Sequence, residues 1–322
     1  STAFNVDRGT CANDQTCPAA SNSAGTSYND FLPSLNLTFQ LPGDQALRVA
    51  VARQIARPRM DDLRATQLYD VDLTRLRWVG EGGNPELKPW KADALDISYE
   101  KYFGRKGYVS VAGYYKDLKT YIYEQKLNVD FTQRFPGLTP PVGKPTPASP
   151  IGEYKTQANG EGGSLSGLEL AASVPLELIT PMLDGFGVQF SYAYVDSKIQ
   201  PFGPGDIRPL PGLSRNSYNL TAYYEKNGFQ VRVSGRLRDS FVGEITGFGA
   251  NREFQNVEKE QITDAQIGYE FQSGSLKGLA VLLQVNNLGN EPYVEYLNND
   301  PTQTRQYTKY GRTYLFGVSY KF

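Results

Sequence analysis

The chain carries no histidine among its 322 residues. That removes the commonest general base, the Ser–His and Asp–His pairings of nucleophilic catalysis, and the commonest zinc ligand. No tight carboxylate pair stands in for them, so no catalytic residue, metal site or cofactor is expected and the chain does not read as an enzyme. The chemistry left is recognition. Aromatic faces beside amides and carboxylates suit sugar rings, whose C–H faces stack and whose hydroxyls need hydrogen-bond partners. Trp78, Trp90, Tyr123, Asn251, Arg252 and Tyr296 have the residue types and positions for that work. Arg236, Arg238 and Arg252 would instead suit an anionic iron chelate, and the residues alone leave the choice open. Cys11 and Cys17, in CANDQTC, read as a local disulfide made in an oxidising compartment, with two free thiols as the alternative.

The elements that must hold these groups are strands. Hydrophobic residues make up 39% and charged residues 21%, so the chain buries or covers substantial apolar surface. No run of about 18 apolar residues encodes a transmembrane helix. Acids and bases nearly cancel, at a net charge of -1, which gives no electrostatic case for nucleic acid. Apolar residues instead recur at every second position from end to end. Leu35, Leu37, Phe39 and Leu41 oppose Ser34, Asn36, Thr38 and Gln40. Phe186, Val188, Phe190, Tyr192 and Tyr194 oppose Gln189, Ser191 and Ala193. The last segment, GRTYLFGVSYKF, alternates Tyr314, Phe316, Val318, Tyr320 and Phe322 with smaller or polar residues, broken only by Leu315. About eleven such runs are present, the one at 108–124 slipping out of phase after Tyr115. Helical period is confined to a short stretch near RMDDLRATQLYD.

Connections alternate between short (42–45, 104–107, 226–228 and 272–278, with a longer exception near 178–185) and long (roughly 58–90, 125–160, 196–214, 239–260 and 296–305). That is an up-and-down antiparallel sheet. Nearly every strand keeps one fully apolar face, and charges such as Glu100, Glu169, Arg232, Arg236 and Glu270 sit on the other. The pattern predicts an all-β transmembrane wall, apolar toward lipid and polar toward a lumen, rather than a soluble sandwich. An open wall in lipid leaves unpaired edges that cost several kcal/mol per unsatisfied backbone group. Eleven strands are therefore expected to be completed by further strands of the same protein.

Four ordered motifs resemble those of TonB-dependent outer-membrane receptors. GGNPELKPWKADALDISYEKYF (82–103) is similar to their NP-x-L-K-P loop-to-strand signature, and GSLSGLELAASVPL (163–176) to a later G-x-E strand. VNNLGNEPYVEY (285–296) resembles the element before their last strand, and GRTYLFGVSYKF their terminal strand. LRVAVARQIARPRMDDLRA (47–65) resembles a proteobacterial subgroup tied to oligosaccharide uptake. The resemblance implies the C-terminal half of a barrel of about 22 strands, closed by a plug domain and coupled to TonB, in the outer membrane of a Gram-negative bacterium. Residues 1–27 would be an extracellular loop and 28–322 the wall. Implied partners are the remaining strands, the plug, TonB, outer-membrane lipid and the assembly machinery. The terminal residues Tyr314, Phe316, Val318, Tyr320 and Phe322 would carry the assembly signal. The implied activity is active import of a large nutrient, an oligosaccharide by the subgroup likeness. A siderophore or other metal chelate, or passive diffusion through a porin, is the alternative.

Overall fold

The computed structural model describes residues 4–7, 21–104, 107–200, 207–246 and 253–321. Cys11, Cys17, Asn251, Arg252 and Phe322 lie outside the described residues. Strands β1 (Phe4–Asp7) and β2 (Ser21–Ala24) form an isolated antiparallel pair. The wall begins with β3 (Ser34–Leu41) and β4 (Gln45–Ala56). A hairpin of β5 (Gln67–Asp72) and β6 (Arg77–Gly82) follows, then β7 (Trp90–Phe103) and β8 (Gly107–Asp130). One short helical turn, α1 (Phe131–Arg134), leads toward β9 (Ile151–Pro175) and β10 (Phe186–Gln200). After β11 (Asn216–Lys226) and β12 (Phe229–Arg238) come β13 (Phe241–Thr246), β14 (Glu253–Val257) and β15 (Glu260–Glu270). The chain closes with β16 (Leu279–Asn286), β17 (Tyr293–Leu297), β18 (Asp300–Thr308) and β19 (Thr313–Tyr320).

Among the described residues, eleven strands form one continuous path in the order β3-β4-β7-β8-β9-β10-β11-β12-β15-β16-β19, every neighbour antiparallel. These are the eleven runs of alternating hydrophobicity. The turn between β11 and β12 shows why the short connections work. Only Asn227 and Gly228 separate the strands, at φ 52° and 82°, the left-handed geometry that a tight hairpin needs.

Register carries the two faces across the whole wall. Phe39, Leu47, Tyr99, Val111, Leu170, Tyr192 and Tyr218 lie in one cross-strand row. Apolar side chains on this face, such as Leu35, Ile97, Leu220, Val233 and Phe316, are exposed. In water a face of this size would associate or collapse, whereas against acyl chains it needs no protein cover. Phe103, Phe186, Tyr224, Phe229, Tyr269 and Tyr320 collect at the end carrying the short turns, as an interfacial aromatic girdle does. The neighbouring row, Thr38, Arg48, Ser98, Ala112 and Glu169, faces the other way. With Asp96 and Tyr114 it lines a concavity of about 620 Å³, so the polar face is the concave one. Leu315 pairs with Gln284 on that face, which accounts for its break in the terminal pattern.

Above the wall the structure corrects the sequence reading. The stretch near RMDDLRATQLYD is not a helix: residues 60–63 make a single turn and the chain then enters β5. The expected loop at 125–160 is strand at both ends, over 125–130 and 151–160, and most of the described residues of 239–260 and 296–305 are strand. β8 and β9 run for 24 and 25 residues. At about 3.3 Å per residue that is roughly 80 Å of strand, far more than a tilted path through about 25 Å of apolar bilayer requires. Their outer halves therefore stand beyond the membrane as a tower. β6 joins β9 there in parallel, Val79 to Glu153 and Glu81 to Lys155, where β10 has ended. Strands β13, β14, β17 and β18 form a second outer panel of four.

Candidate ligand-facing surface

The lumen side is polar through the membrane and changes character at its outer rim. The cause is a pair of adjacent bulges. On β8, Lys119 has no counterpart on β7, since Lys91 pairs with Thr120 and Ala92 with Leu118. On β9 the register to β10 shifts between Gly163 and Glu161. Gly162, at the second bulge, approaches the first so closely that a Cβ would lie 1.5 Å from the Leu118 oxygen. Each extra residue inverts the side-chain phase beyond it. Odd-numbered residues of β8 face lipid at Val111 and Tyr115 and face the lumen side from Tyr121 upward. This is the slip seen in the sequence after Tyr115.

The inversion assembles an aromatic cluster on the lumen side. Leu118, Tyr121 and Ile199 form its buried centre, with Trp90, Ala92, Tyr123, Leu165 and Leu210 packed against it. The Trp90 and Tyr121 rings meet edge to face at 5.7 Å, and Tyr121 and Tyr123 lie 5.6 Å apart. Both tyrosines cover Gly160, where a Cβ would meet Tyr121 Cε1 at 2.6 Å. Burial pushes the Tyr123 hydroxyl pKa up, so it stays a neutral donor at physiological pH. Leu210 is brought in by the connection after β10, where Ile199 bridges Arg208 and the Leu210 amide donates to Ser197 Oγ at 2.9 Å.

Of the residues singled out by sequence, the structure brings Trp90 and Tyr123 together through Tyr121. Arg238 ends the wall strand β12, with β9, β10 and β11 between it and β8, and Tyr296 belongs to the outer panel of four. The Arg238 guanidinium lies 4.9 Å from the Phe241 ring centre and 3.0 Å from Glu260, which also faces Arg236 at 3.8 Å. Tyr296 sits in β17 opposite Asn256 and Thr304. Trp78, a candidate by residue type for either ligand contact or loop packing, is enclosed. It is 3% exposed in a core with Val71, Phe131, Phe135 and Tyr154, its ring stacked on Phe131 at 6.1 Å. The cluster holds the β5–β6 hairpin against the tips of β8 and β9, which is a packing role. Sequence reasoning missed Tyr121, Gly160 and Leu210. The consecutive glycines Gly162 and Gly163 were the available signal, since paired glycines inside a strand pattern mark a bulge.

Two motifs have structural duties. In NPELKPW, Leu87 is buried and Asn159 clasps the backbone of Lys88 from both sides, accepting from its amide and donating to its carbonyl at 2.8 Å. In VNNLGNEPY, Asn287 is left-handed at φ 54°. Its amide group donates to the carbonyls of Glu291 and Gly311, and its side-chain oxygen accepts from the Glu291 amide. Both motifs satisfy loop backbone at the point where a strand meets its outer connection.

A concave antiparallel wall, apolar outside, polar inside and rimmed by outer strands, defines an outer-membrane β-barrel. The chain belongs to the TonB-dependent receptor-like β-barrel family, whose model matches residues 3–288, and its wall fits the C-terminal half of such a barrel. Comparison with curated protein sequences gives no match. Among solved structures, the ferric citrate transporter FecA in its unliganded form superposes with a TM-score of 0.61 at 17% identity, covering 94% of this chain and 40% of that one. The siderophore receptor PirA from Acinetobacter baumannii gives 0.61 at 16% identity, over 94% and 41%. A mutant of the ferric enterobactin receptor PfeA from Pseudomonas aeruginosa, in complex with enterobactin, gives 0.58 at 16% identity, over 92% and 40%. At such identities the likeness is one of fold. The chain spans about two-fifths of the length of the solved receptors it matches.

Proposed function

We propose that this chain forms part of the barrel of an outer-membrane receptor that imports a large nutrient by active transport, energised through TonB and gated by a plug domain. The family match over residues 3–288 carries this reading. The chain's part is to hold a lipid-facing wall and to present ligand-contacting groups at its outer rim, without catalysis.

The ligand class that the rim suits best is a neutral oligosaccharide. Trp90, Tyr121 and Tyr123 supply aromatic surface, and the Tyr123 hydroxyl supplies a polar edge. An anionic chelate calls for cations without carboxylate partners. On the inner face Arg48 faces Glu100 at 3.1 Å, and Arg236 and Arg238 share Glu260. A ferric chelate is the second reading, favoured by the FecA, PirA and PfeA comparisons. Calorimetry on the complete receptor, with a panel of neutral oligosaccharides and ferric chelates, separates the two. Sugar binding weakened by Tyr123→Ala and Trp90→Ala is the expected result. Chelate binding alone, insensitive to both changes, would replace the first reading with the second. Uptake that persists without energy coupling would remove active transport altogether.

A further inference from the structure

The connection between β9 and β10 is unlike the other turns at its end of the wall. Those at 42–44 and 227–228 are short and built from Pro, Gly, Asp and Asn, and the one at 272–278 carries a single large apolar residue, Leu276. Residues 176–183 read LELITPML, five large apolar residues of eight, and fold into two short 3-10 turns, Leu176–Leu178 and Pro181–Leu183. The segment hides little of this surface: Leu178 is 42%, Ile179 73% and Met182 91% exposed.

Its position says what covers it. A Cβ added to Gly107 would meet Leu178 Cδ1 at 3.5 Å. Gly107 pairs with Phe103 and shares the parity of Val111, so that Cβ points to the lipid side. Leu178 therefore leans over the outer, apolar face of the wall. The turn continues directly into Phe186, whose ring lies 4.6 Å from Tyr224 within the aromatic girdle. Lys226 reaches Asp184 at 3.0 Å and ties the far end of the turn to the next hairpin. The exposed apolar knob is thus continuous with the surface that meets lipid, one turn further toward the periplasm.

We propose that residues 176–183 form an interfacial wedge whose Leu178, Ile179 and Met182 insert into the inner leaflet of the outer membrane, at headgroup depth. An exposed apolar cluster with a polar tether, held beside a girdle, partitions into that boundary. The segment anchors the wall's vertical position between β9 and β10, which contribute Leu165 and Ile199 to the rim cluster above.

The test places a reporter on the wedge. In the complete receptor, with its native tryptophans replaced by phenylalanine, Ile179→Trp and, separately, Met182→Trp are reconstituted in phosphatidylethanolamine–phosphatidylglycerol vesicles brominated near the headgroup. Ser275→Trp, in the 272–278 turn, serves as the aqueous reference. The expected result is blue-shifted emission, strong bromine quenching and loss of acrylamide quenching for both wedge reporters relative to Ser275→Trp. Emission and quenching equal to the reference would overturn the proposal. Shielding that appears only when a periplasmic protein is added would also overturn it, by assigning the knob to a protein partner. Either reporter alone suffices if the other fails to assemble.

Discussion

Trp78→Ala should loosen the extracellular tower and leave the membrane wall intact. The Trp78 ring is almost fully enclosed, stacked on Phe131 and set edge-on to Tyr69 at 6.1 Å. Every member of its cluster lies in 69–78, in 129–138 or at Tyr154, beyond the lipid-facing segments. Removing a buried Trp or Phe ring typically costs about 3–5 kcal/mol. That raises the opening equilibrium of the tower by about 10²- to 10⁴-fold. Trp78→Phe keeps part of the stack and should cost less. Hydrogen exchange on the complete receptor resolves the two regions. Peptides covering 127–138 and 150–155 should exchange faster in Trp78→Ala, while wall peptides such as 186–194 keep their protection. If exchange in the tower were unchanged and ligand affinity fell instead, the ring would be a ligand contact and the packing argument wrong.

Three further expectations concern other levels of the structure. Gly162→Ala puts a methyl into the Leu118 carbonyl, so the paired bulges must shift at a cost of about 1–3 kcal/mol or more. Gly113→Ala, whose Cβ meets nothing closer than 3.8 Å, should be tolerated, and heat-modifiable gel mobility compares the two. Asp70 has its pKa held below the usual carboxylate range, chiefly by the hydrogen bond from the Lys144 ammonium at 2.5 Å. Its contribution is therefore complete above an unfolded pKa of about 3.9 and is lost as pH falls through the lower folded value. Exchange at residues 139–144 should rise only on strong acidification, and Lys144→Met should abolish that pH dependence. Deleting Phe322 should lower surface levels of the receptor more than it lowers the ligand affinity of the molecules that do assemble, measured by surface labelling and calorimetry.

Period-two alternation determined the wall. It is a local property, because successive side chains of a strand must point to opposite sides whatever the strand pairs with. For that reason the eleven strands, the short turns, the lipid-facing rows and the apolar terminal strand were all legible in the residues. The family motifs were legible too, since a residue such as Asn287 works through backbone that only a few residue types satisfy. What the alternation does not contain is which edge a strand finds. The parallel pairing of β6 with β9 joins residues more than seventy positions apart, and it turned an expected loop into a tower that buries Trp78. The bulges at Lys119 and Gly162 were visible only as a slip in phase, yet they send Tyr121 and Tyr123 to the lumen instead of the lipid. Composition placed aromatic residues near the rim, and their facing was decided by one extra residue in each of two strands.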